Sequence, residues 1–248
     1  MSKTKFGGRA LVIVPTYNEK DSIDEVIERL FTGAPDGLEL LIVDDGSPDG
    51  TADVAESHAS THPVHVLRRA GKQGLGTAYV TGFKWGIERG FDAVVEMDAD
   101  LSHDPAMVPK LVDELSRADL VVGSRYIPGG RIENWSRLRQ LLSRAGNIYA
   151  RAWLGYTVRD STSGFRAYRT SILEGANLTD VRSEGYGFQI EMTRRVHRSG
   201  GRIVEVPITF VERVHGTSKM SRRIVAEALL SVTRWGLRDR FFARRAGA

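Results

Sequence analysis

Apolar runs and amphipathic stretches alternate regularly through residues 9–126, and this alternation constrains the fold more than any other feature of the chain. The runs that read as strands are 11–14, 38–43, 64–67, 93–97 and 120–123, and the stretches with helical periodicity are 21–31, 51–59, 75–89 and 106–116. Parallel strands need long crossover connections, which helices commonly supply. The alternation therefore predicts an α/β fold with a mostly parallel central sheet and helices on both faces.

The regularity weakens after residue 126. The pattern there predicts a helix over 131–154, a strand within 161–168, a helix over 186–198 and a strand over 202–208. Pro207 makes the last of these an edge strand or a bulged strand, because proline has no N–H to give to a neighbour. No low-complexity linker or internal repeat interrupts the chain, so residues 1–248 are expected to form one domain.

Polar clusters follow three of the predicted strands, at segments 15–19, 44–50 and 98–100. Ligands of open α/β sheets bind outside the carboxyl ends of the strands, so the three clusters predict one nucleotide site at one edge of the sheet. In the third cluster Asp98 and Asp100 stand one residue apart. Carboxylate oxygens are the ligands that Mg²⁺ and Mn²⁺ prefer, and this pair could hold such a cation over a bound diphosphate.

Each polar cluster also has a purely structural explanation. Tyr17 could stack on a base or ribose and Glu19 could accept a hydrogen bond from a sugar hydroxyl, yet segment 15–19 also fits a proline-initiated turn before a helix. Segment 44–50 could bind the base or ribose through a carboxylate, or could be a tight loop chosen for its Gly and Asp content. The coincidence of three clusters at predicted strand ends favours the functional interpretation.

Motif spacing argues against three other classes of protein. The Gly-rich stretch 71–76 follows the third predicted strand and lacks the third small residue of a dinucleotide-binding fingerprint. No GxxxxGK[ST] motif occurs, which disfavours a P-loop NTPase, and the six His residues show no HExxH spacing of a zinc hydrolase. The basic loop at 71–76, just before a predicted helix N-terminus, could still contact a substrate phosphate.

Basic side chains suited to anions lie further along the chain. Arg125 follows a predicted strand, and Arg139 and Ser143 are four residues apart, hence on one face of a predicted helix. Arg213 and Lys219 flank a Gly-Thr-Ser turn that could form a mobile lid over a diphosphate. For any single Arg, an exposed ion pair is the alternative.

The composition bounds the compartment and the relation to membranes. The chain has no Cys, which excludes a disulfide framework and fits a reducing compartment. No apolar stretch approaches the roughly 18–20 residues that span a bilayer. Segment 219–248 carries eight basic and two acidic residues, interleaved with apolar and aromatic ones. This pattern fits either an amphipathic helix on a membrane surface or an ordinary docked C-terminal helix.

Seven motifs in chain order carry a family resemblance: PTYNE at 15–19, DDGSPDGT at 44–51, GLGTAY at 74–79, MDADLSHDP at 97–105, GSRY at 123–126, GYGFQIEM at 185–192 and VPITFVERVHGTSK at 206–219. With them the chain resembles the inverting family-2 glycosyltransferases of the GT-A fold, and more narrowly the dolichol- and polyprenol-phosphate mannose synthases. The resemblance implies transfer of mannose from GDP-mannose to polyprenol (dolichyl) phosphate with inversion, giving polyprenol-phosphate β-mannose and GDP.

The resemblance also implies roles for individual residues, and the guanosine would be held by Pro15, Tyr17, Glu19, Ile42 and Asp44. The diphosphate would lie along Asp98, Ala99 and Asp100. Asp98 and Asp100 would bind Mg²⁺ or Mn²⁺, with Asp100 as the principal ligand. Ser102 stands where some relatives carry Gln. Arg213 and Lys219 would bind the diphosphate from the lid. The acceptor phosphate would be bound by Arg125, Arg139 and Ser143. Arg125 would also lie near the donor, and Arg125 and Asp100 would be the catalytic residues. Asp45 would lie close to the site.

The resemblance further implies how the chain is organised and where it acts. Residues 9–126 would form the nucleotide-sugar-binding half and residues 127–248 the acceptor-binding half, which ends in an amphipathic basic helix. The protein would be cytoplasmic, attached peripherally to the cytoplasmic face of the membrane, with or without a membrane-protein partner, and would not bind nucleic acid.

Three alternatives stay open from the sequence. The first is a polyprenol-phosphate glucose or hexose synthase that uses a UDP-sugar. The second is a transferase that acts on polysaccharide or protein, although processive synthases usually carry a QxxRW motif and Ser231 stands where that motif needs Gln. The third is a non-catalytic nucleotide-binding or membrane-docking module, which would not need both a carboxylate pair and a cationic lid.

Overall fold

A seven-stranded mixed sheet forms the centre of the protein in a computed structural model, which describes residues 5–212 and 222–246. The strands are β1 (Ala10–Thr16), β2 (Leu38–Asp44), β3 (Val64–Arg68), β4 (Ala93–Glu96), β5 (Leu120–Ser124), β6 (Arg131–Glu133), β7 (Arg166–Arg169), β8 (Ile203–Pro207) and β9 (Thr209–Val211). The large sheet has the order β3-β2-β1-β4-β7-β5-β8, and β6 and β9 form a separate parallel pair.

All strand pairs of the large sheet are parallel except those made by β7, which runs antiparallel to both β4 and β5. The parallel strands β1, β2 and β4 share one register, in which Ile13 lies opposite Leu41 on one side and Glu96 on the other. Their carboxyl ends therefore meet at one edge of the sheet. This edge receives the polar segments that follow each strand.

The helices cover both faces of the sheet. They are α1 (Lys20–Phe31), α2 (Thr51–Ser57), α3 (Leu75–Glu88), α4 (Val108–Glu114), α5 (Arg137–Leu154), α6 (Thr170–Glu174), α7 (Tyr186–Arg198) and α8 (Arg222–Ala246). Successive side chains of β1 point to opposite faces, so Val12 and Val14 pack with α1 and α4 while Leu11 and Ile13 pack with α3 and α7. Two apolar cores, one on each face, result from this alternation.

The structure confirms the predicted α/β architecture and each predicted strand to within one to three residues. Strand β8, which contains Pro207, lies at the edge of the sheet, as the missing proline N–H requires. The prediction of helix for residues 131–136 is wrong. Residues 131–133 form β6 beside β9, and α5 begins only after Ser136, whose hydroxyl caps the helix by accepting a hydrogen bond from the Arg139 N–H at 3.3 Å.

Across residues 5–212 and 222–246, no helix is both long enough and apolar enough to cross a bilayer.

Candidate active site

A cavity of about 350 Å³ opens at the carboxyl ends of β1 and β4, beside the N-terminus of α3. We call it the carboxylate cavity, because five of its lining side chains carry a carboxyl group: Glu19, Asp45, Asp98, Asp100 and Glu184. The other lining residues are Pro15, Thr16, Tyr17, Lys72, Gly74, Leu75, Ala78, Ala99, Ser102, Arg139, Thr162, Gly164, Gly185, Tyr186, Gln189 and Phe210. The polar segments after β1 and β4 thus meet in one cavity, as the sequence predicted.

The loop after β1 brings Pro15, Tyr17 and Glu19 to the cavity wall. Asn18, between the last two, has a positive φ of 58°, a conformation that Asn tolerates better than most residues and that turns the chain sharply. The Lys72 ammonium lies over the Tyr17 ring, 4.7 Å from its centroid. This cation–π contact places a positive charge at the wall next to the aromatic face.

The cluster after β2 contributes one carboxylate to the cavity and uses the other to build the loop. Asp45 lines the cavity and accepts a 2.5 Å hydrogen bond from Arg69 Nε. Asp44 is only 1% exposed, because its carboxylate accepts hydrogen bonds from the Thr16 hydroxyl at 2.8 Å and from the Ser47 N–H at 2.9 Å. Ile42 is fully buried within β2. Of the residues predicted near the guanosine, Ile42 and Asp44 therefore do not reach the cavity wall with their side chains.

The carboxylate pair Asp98 and Asp100 follows β4 and lines the same wall. The Tyr79 hydroxyl donates to Asp98 Oδ1 at 3.3 Å, and the Ser102 N–H donates to Asp100 Oδ1 at 3.1 Å. The His103 ring lies behind the pair, with Nδ1 3.8 Å from Asp98 Oδ2. Burial lowers the pKa of His103 in spite of the neighbouring Asp98 and Asp100, which favour the charged ring.

The residues around this pair fit a divalent cation with a preference for oxygen. Asp98 and Asp100 offer carboxylate oxygens on one wall of the cavity. Ser102 Oγ is buried on the same wall and has no hydrogen-bond partner within the residues that the structure describes, so it is a further oxygen without an assigned contact. Such a donor set suits Mg²⁺ or Mn²⁺, which complete their shells with water and substrate phosphates.

A buried polar layer lies beneath the cavity. Gln189, which lines the cavity, donates a 2.6 Å hydrogen bond to the carboxylate of Glu96 on β4. Burial raises the pKa of Glu96 to about 7, against the opposing charge of the buried Arg166. Arg166 donates to the carbonyls of Ser161 and Ser163 at 2.6 Å each, which anchors the loop that precedes β7. This layer ties the wall of the cavity to the sheet.

Arg125 does not line the cavity, although the family resemblance implied contact with donor and acceptor. Its side chain is almost fully buried and does not line the carboxylate cavity, because the guanidinium makes two 2.7 Å hydrogen bonds to the carboxylate of Asp160. Its Nη2 also donates to Thr162 Oγ1 at 2.9 Å. Burial would raise the pKa of Asp160, but the charge and hydrogen bonds of Arg125 outweigh it and hold that pKa below its usual value. Arg125 thus fixes the loop that carries Thr162.

A second cavity of about 480 Å³ lies between α5, α7 and α8, and we call it the apolar cavity. Its lining residues are Trp135, Arg139, Leu142, Ser143, Ala145, Gly146, Tyr149, Thr162, Tyr186, Ile190, Val225, Ala228, Leu229 and Val232. Arg139, Thr162 and Tyr186 line both cavities and form their boundary. The predicted pair Arg139 and Ser143 is therefore split, with Ser143 on the apolar side only.

Arg139 is held in place at this boundary. Its guanidinium forms an ion pair with Glu212 and lies over the Trp135 ring, 3.9 Å from the centroid. Both contacts orient one positive charge toward the place where the cavities meet. The predicted lid residues Arg213 and Lys219 lie outside the described residues.

Around the apolar cavity, α5 and α8 expose large apolar side chains. Those on α5 are Leu138, Leu141, Leu142 and Ile148, and those on α8 are Val225, Leu229, Leu230 and Leu237. Helix α8 is also docked, since the Thr233 hydroxyl lies 2.6 Å from the Tyr149 hydroxyl and Val232 is buried. Helix α8 is therefore docked on the protein along one side and exposes apolar side chains on the other.

Sequence reasoning missed several wall residues, among them Thr162, Glu184 and Gln189. Glu184 accepts a 3.1 Å hydrogen bond from the Gly76 N–H at the start of α3, and burial raises its pKa. The basic loop at 71–76 and the GYGFQIEM motif gave the only sequence signals for Lys72 and Gln189. Thr162 and Glu184 had none, because their positions depend on how distant loops pack.

Comparison with known proteins agrees with this geometry. Residues 11–175 match the family described as Glycosyl transferase family 2. The chain is 52% identical over 239 residues to undecaprenyl-phosphate mannosyltransferase of Micrococcus luteus, covering 96% of this chain and 98% of that protein. It is 48% identical to polyprenol monophosphomannose synthase of Mycolicibacterium smegmatis, covering 94% and 88%.

A solved structure with the same fold is that of glucosyl-3-phosphoglycerate synthase from Mycobacterium tuberculosis in complex with Mn²⁺, UDP-glucose and glycerol 3-phosphate. It aligns with a TM-score of 0.67 at 25% sequence identity, covering 92% of this chain and 81% of that chain. The α/β architecture is thus the GT-A fold of nucleotide-sugar transferases. With a carboxylate cavity at its strand ends and close relatives matched over nearly its whole length, the chain belongs to glycosyl transferase family 2.

Proposed function

We propose that this glycosyltransferase moves mannose from GDP-mannose to the phosphate of a polyprenol, with inversion, and releases GDP. The observation that carries the proposal is the shared boundary of the two cavities, where a site suited to a nucleotide diphosphate adjoins a site suited to an isoprenoid chain. The names of the relatives from Micrococcus luteus and Mycolicibacterium smegmatis support the mannosyl donor and the polyprenol acceptor.

The donor would occupy the carboxylate cavity. Pro15, Tyr17 and Glu19 line the part of the wall that suits a nucleoside, with an aromatic face and a hydrogen-bond acceptor. Ile42 and Asp44 would shape this part from behind, since both are buried. Asp45 would contact the donor from the adjoining loop.

Asp98 and Asp100, with Ala99 between them, would hold a divalent cation against the diphosphate of the donor. When bound, Mg²⁺ or Mn²⁺ would neutralise the charge that develops on the departing GDP. The Mn²⁺ in the structure of glucosyl-3-phosphoglycerate synthase supports this choice of metal. Arg213 and Lys219 would add two positive charges to the binding of the diphosphate, as the family resemblance implies.

The acceptor phosphate would be met at the boundary by Arg139, with the Ser143 hydroxyl on the apolar side. A phosphate monoester has a second pKa near about 6, so it is mostly dianionic at neutral pH and already nucleophilic. One of its oxygens attacks the anomeric carbon as the bond from that carbon to the diphosphate oxygen breaks, and the electron pair leaves with GDP. No strong general base is needed, and in-line attack inverts an α-linked donor to a β-linked product.

Arg125 would act as a positioning residue in this scheme. Its hydrogen bond to Thr162 would fix the boundary between the cavities, and its Nε and Nη2 atoms are engaged by Asp160. This differs from the direct contact with donor and acceptor that the resemblance implied. Residues 9–126 would thus supply most of the donor site and residues 127–248 most of the acceptor site.

The polyprenol tail would lie in the apolar cavity between α5 and α8. The exposed Leu and Ile side chains beside this cavity suit contact with a membrane surface, because they would be removed from water there. Arg residues in the same two helices suit the anionic headgroups. The protein would therefore work peripherally at the cytoplasmic face of a membrane, alone or beside a membrane protein.

A second candidate keeps the mechanism and changes the donor to a UDP-hexose. The solved complex of glucosyl-3-phosphoglycerate synthase with UDP-glucose favours it, although that protein is much less similar in sequence than the mannosyltransferases. The carboxyl groups of the carboxylate cavity would suit a GDP-sugar and a UDP-sugar equally well.

The test is transfer of labelled mannose from GDP-mannose to polyprenol phosphate in detergent, with Mg²⁺, with Mn²⁺ and with EDTA, beside labelled UDP-glucose. We expect labelled lipid from GDP-mannose only, and its loss in EDTA. Labelled lipid from UDP-glucose alone would overturn the donor assignment. Transfer that survives EDTA would overturn the role of Asp98 and Asp100, and no lipid from either donor would overturn the proposed acceptor.

A further inference from the structure

Two histidines and a carboxylate meet on the surface, away from the carboxylate cavity. Glu28 lies on α1, and His58 and His62 lie in and just after the short 3-10 turn that follows α2. Their ligand atoms all lie within 4.8 Å of one another. Among residues 5–212 and 222–246, this is the one group of three such side chains close enough to hold a metal ion. Helix α1 begins at the cavity and Glu28 lies eight residues further on, about 12 Å along the helix.

The distances in this group suit a tetrahedral ion. His58 Nδ1 lies 3.4 Å from Glu28 Oε1, and His62 Nε2 lies 3.5 Å from the same oxygen. Bonds of about 2.0–2.1 Å from Zn²⁺ to nitrogen or oxygen in a tetrahedron place neighbouring ligand atoms about 3.4 Å apart. The two separations therefore match two edges of a zinc coordination tetrahedron.

Contacts behind the group orient the two rings. The other nitrogen of His58, Nε2, lies 2.6 Å from Asp24 Oδ1, an arrangement of carboxylate, histidine and metal that recurs at zinc sites. Because the Asp24 carboxylate accepts a hydrogen bond from Nε2, the neutral His58 ring carries its lone pair on Nδ1, which faces Glu28. The His62 ring stacks on Phe31 with centroids 4.8 Å apart and planes 4° apart. Both imidazoles are thus held by independent contacts.

We propose that Glu28, His58 and His62 bind one Zn²⁺ ion, with water as the fourth ligand and Asp24 holding His58 in place. The ion would link α1 to the turn after α2, at the end of α1 that lies away from the donor site. This site shares no residue with the proposed transfer reaction. Imidazole nitrogen favours zinc here over the Mg²⁺ that suits the oxygen donors of Asp98 and Asp100.

The experiment measures Zn²⁺ binding to the protein without an affinity tag, by competition with a chromogenic chelator. The Asp100→Ala variant is measured alongside, because the carboxylate cavity could also take up zinc. We expect one tight zinc equivalent in both proteins and its loss in His62→Ala. Co²⁺ in place of Zn²⁺ should give the visible absorption bands of a tetrahedral site with nitrogen ligands.

Two further variants distinguish the loss of a zinc ligand from misfolding of the protein. Glu28→Gln leaves the stacked rings untouched and should weaken zinc binding about tenfold or more, while Asp24→Asn should weaken it about 10–100-fold. His65→Ala is the matched control, since His65 pairs with Glu39 outside the group and its loss should leave zinc binding unchanged. No tight zinc in the wild type, or tight zinc that survives both His62→Ala and Glu28→Gln, would overturn the proposal and leave an ordinary cluster of ion pairs.

Discussion

The carboxylate cavity and the apolar cavity adjoin each other, yet they are built in opposite ways. The first is lined by carboxylates on loops that leave buried strands, and hydrogen bonds such as that from Arg69 to Asp45 fix its side chains. The second is lined largely by apolar side chains of α5, α7 and α8, and three of them, Leu142, Val225 and Leu229, are exposed. A charged donor needs preoriented groups, whereas a flexible isoprenoid chain needs only apolar surface. If the proposed function holds, the contrast assigns the chemistry to the first cavity and the affinity for the acceptor to the second.

The largest effect should follow from damage to the carboxylate cavity. Asp100→Ala should lower the rate of transfer at least about 10³-fold, because a metal contributes several kcal/mol to stabilising a departing diphosphate. The unfolding temperature should barely change, since Asp100 lies on a loop and is partly exposed. Initial rates and thermal melts measure both. The control is Asp104→Asn, because Asp104 is an exposed neighbour that caps the next turn. Normal turnover by Asp100→Ala would refute the assignment of Asp100 as a metal ligand.

Breaking the buried ion pair between Arg125 and Asp160 should destabilise the protein at the boundary between the cavities. Asp160→Ala leaves the Arg125 guanidinium buried without its partner, which should cost about 3–5 kcal/mol of unfolding free energy. Urea denaturation measures the change. Glu174→Ala, which removes an exposed carboxylate, should stay within about 0.5 kcal/mol. A loss below about 1 kcal/mol for Asp160→Ala would mean that the pair does not hold the boundary.

The layer beneath the carboxylate cavity should make stability depend on pH. The folded protein raises the pKa of Glu96 from 4.5 to about 7, so between these values it keeps a proton that the unfolded chain has lost. The unfolding free energy should therefore fall by about 3 kcal/mol as the pH rises from about 4.5 to 7, and then level off. Urea denaturation from pH 5 to 8 checks this slope. Glu96→Gln should remove it, and an identical slope in that variant would refute the assignment.

Arg139 tests whether the two cavities act on separate substrates. Arg139→Ala should raise the KM for polyprenol phosphate about 10–100-fold and the KM for GDP-mannose far less, because one hydrogen bond to a charged phosphate is lost. Steady-state kinetics with each substrate varied in turn gives the two values. Arg137→Ala, an exposed arginine of the same helix, serves as the control. The reverse pattern would place the acceptor phosphate elsewhere.

The smallest effect should come from the apolar cavity. Leu229→Ser should raise the KM for a long-chain polyprenol phosphate about fivefold, because roughly 1 kcal/mol of apolar burial is lost, and should leave a short-chain acceptor unaffected. Leu230→Ser is the matched control, since Leu230 is exposed on the same helix and does not line the cavity. An equal change in KM for the long-chain and the short-chain acceptor would refute the placement of the polyprenol tail in this cavity.

Much of the fold and part of the site followed from local sequence. The strands of residues 9–126 were predictable because each is an apolar run bounded by polar turns, and the residues after β1 and β4 had to meet at one sheet edge. The strand β6 was not predictable. Its residues, Arg131–Glu133, are stabilised as a strand by pairing with β9, which is more than seventy residues away.

Within the site, position at a strand end did not by itself decide whether a side chain faces the cavity, because packing also sets its direction. Tyr17, Asp98 and Asp100 reach the cavity, as expected. Asp44 turns inward because Thr16 and Ser47 bind its carboxylate, and Arg125 turns toward Asp160. Thr16 and Asp160 lie outside the motifs that contain Asp44 and Arg125, although Ser47 belongs to the same motif as Asp44.

The sequence by itself determined the mostly parallel sheet, the succession of strands and helices along residues 9–126, and the carboxylate cluster after β4, because these depend on local periodicity. Only the tertiary structure decided that Arg139, Thr162 and Tyr186 share one boundary, that α5 and α8 enclose an apolar cavity, and that Glu28 meets His58 and His62. The physical reason is distance along the chain. A local pattern fixes which face of an element is apolar, but contacts between elements many residues apart depend on how those faces pack.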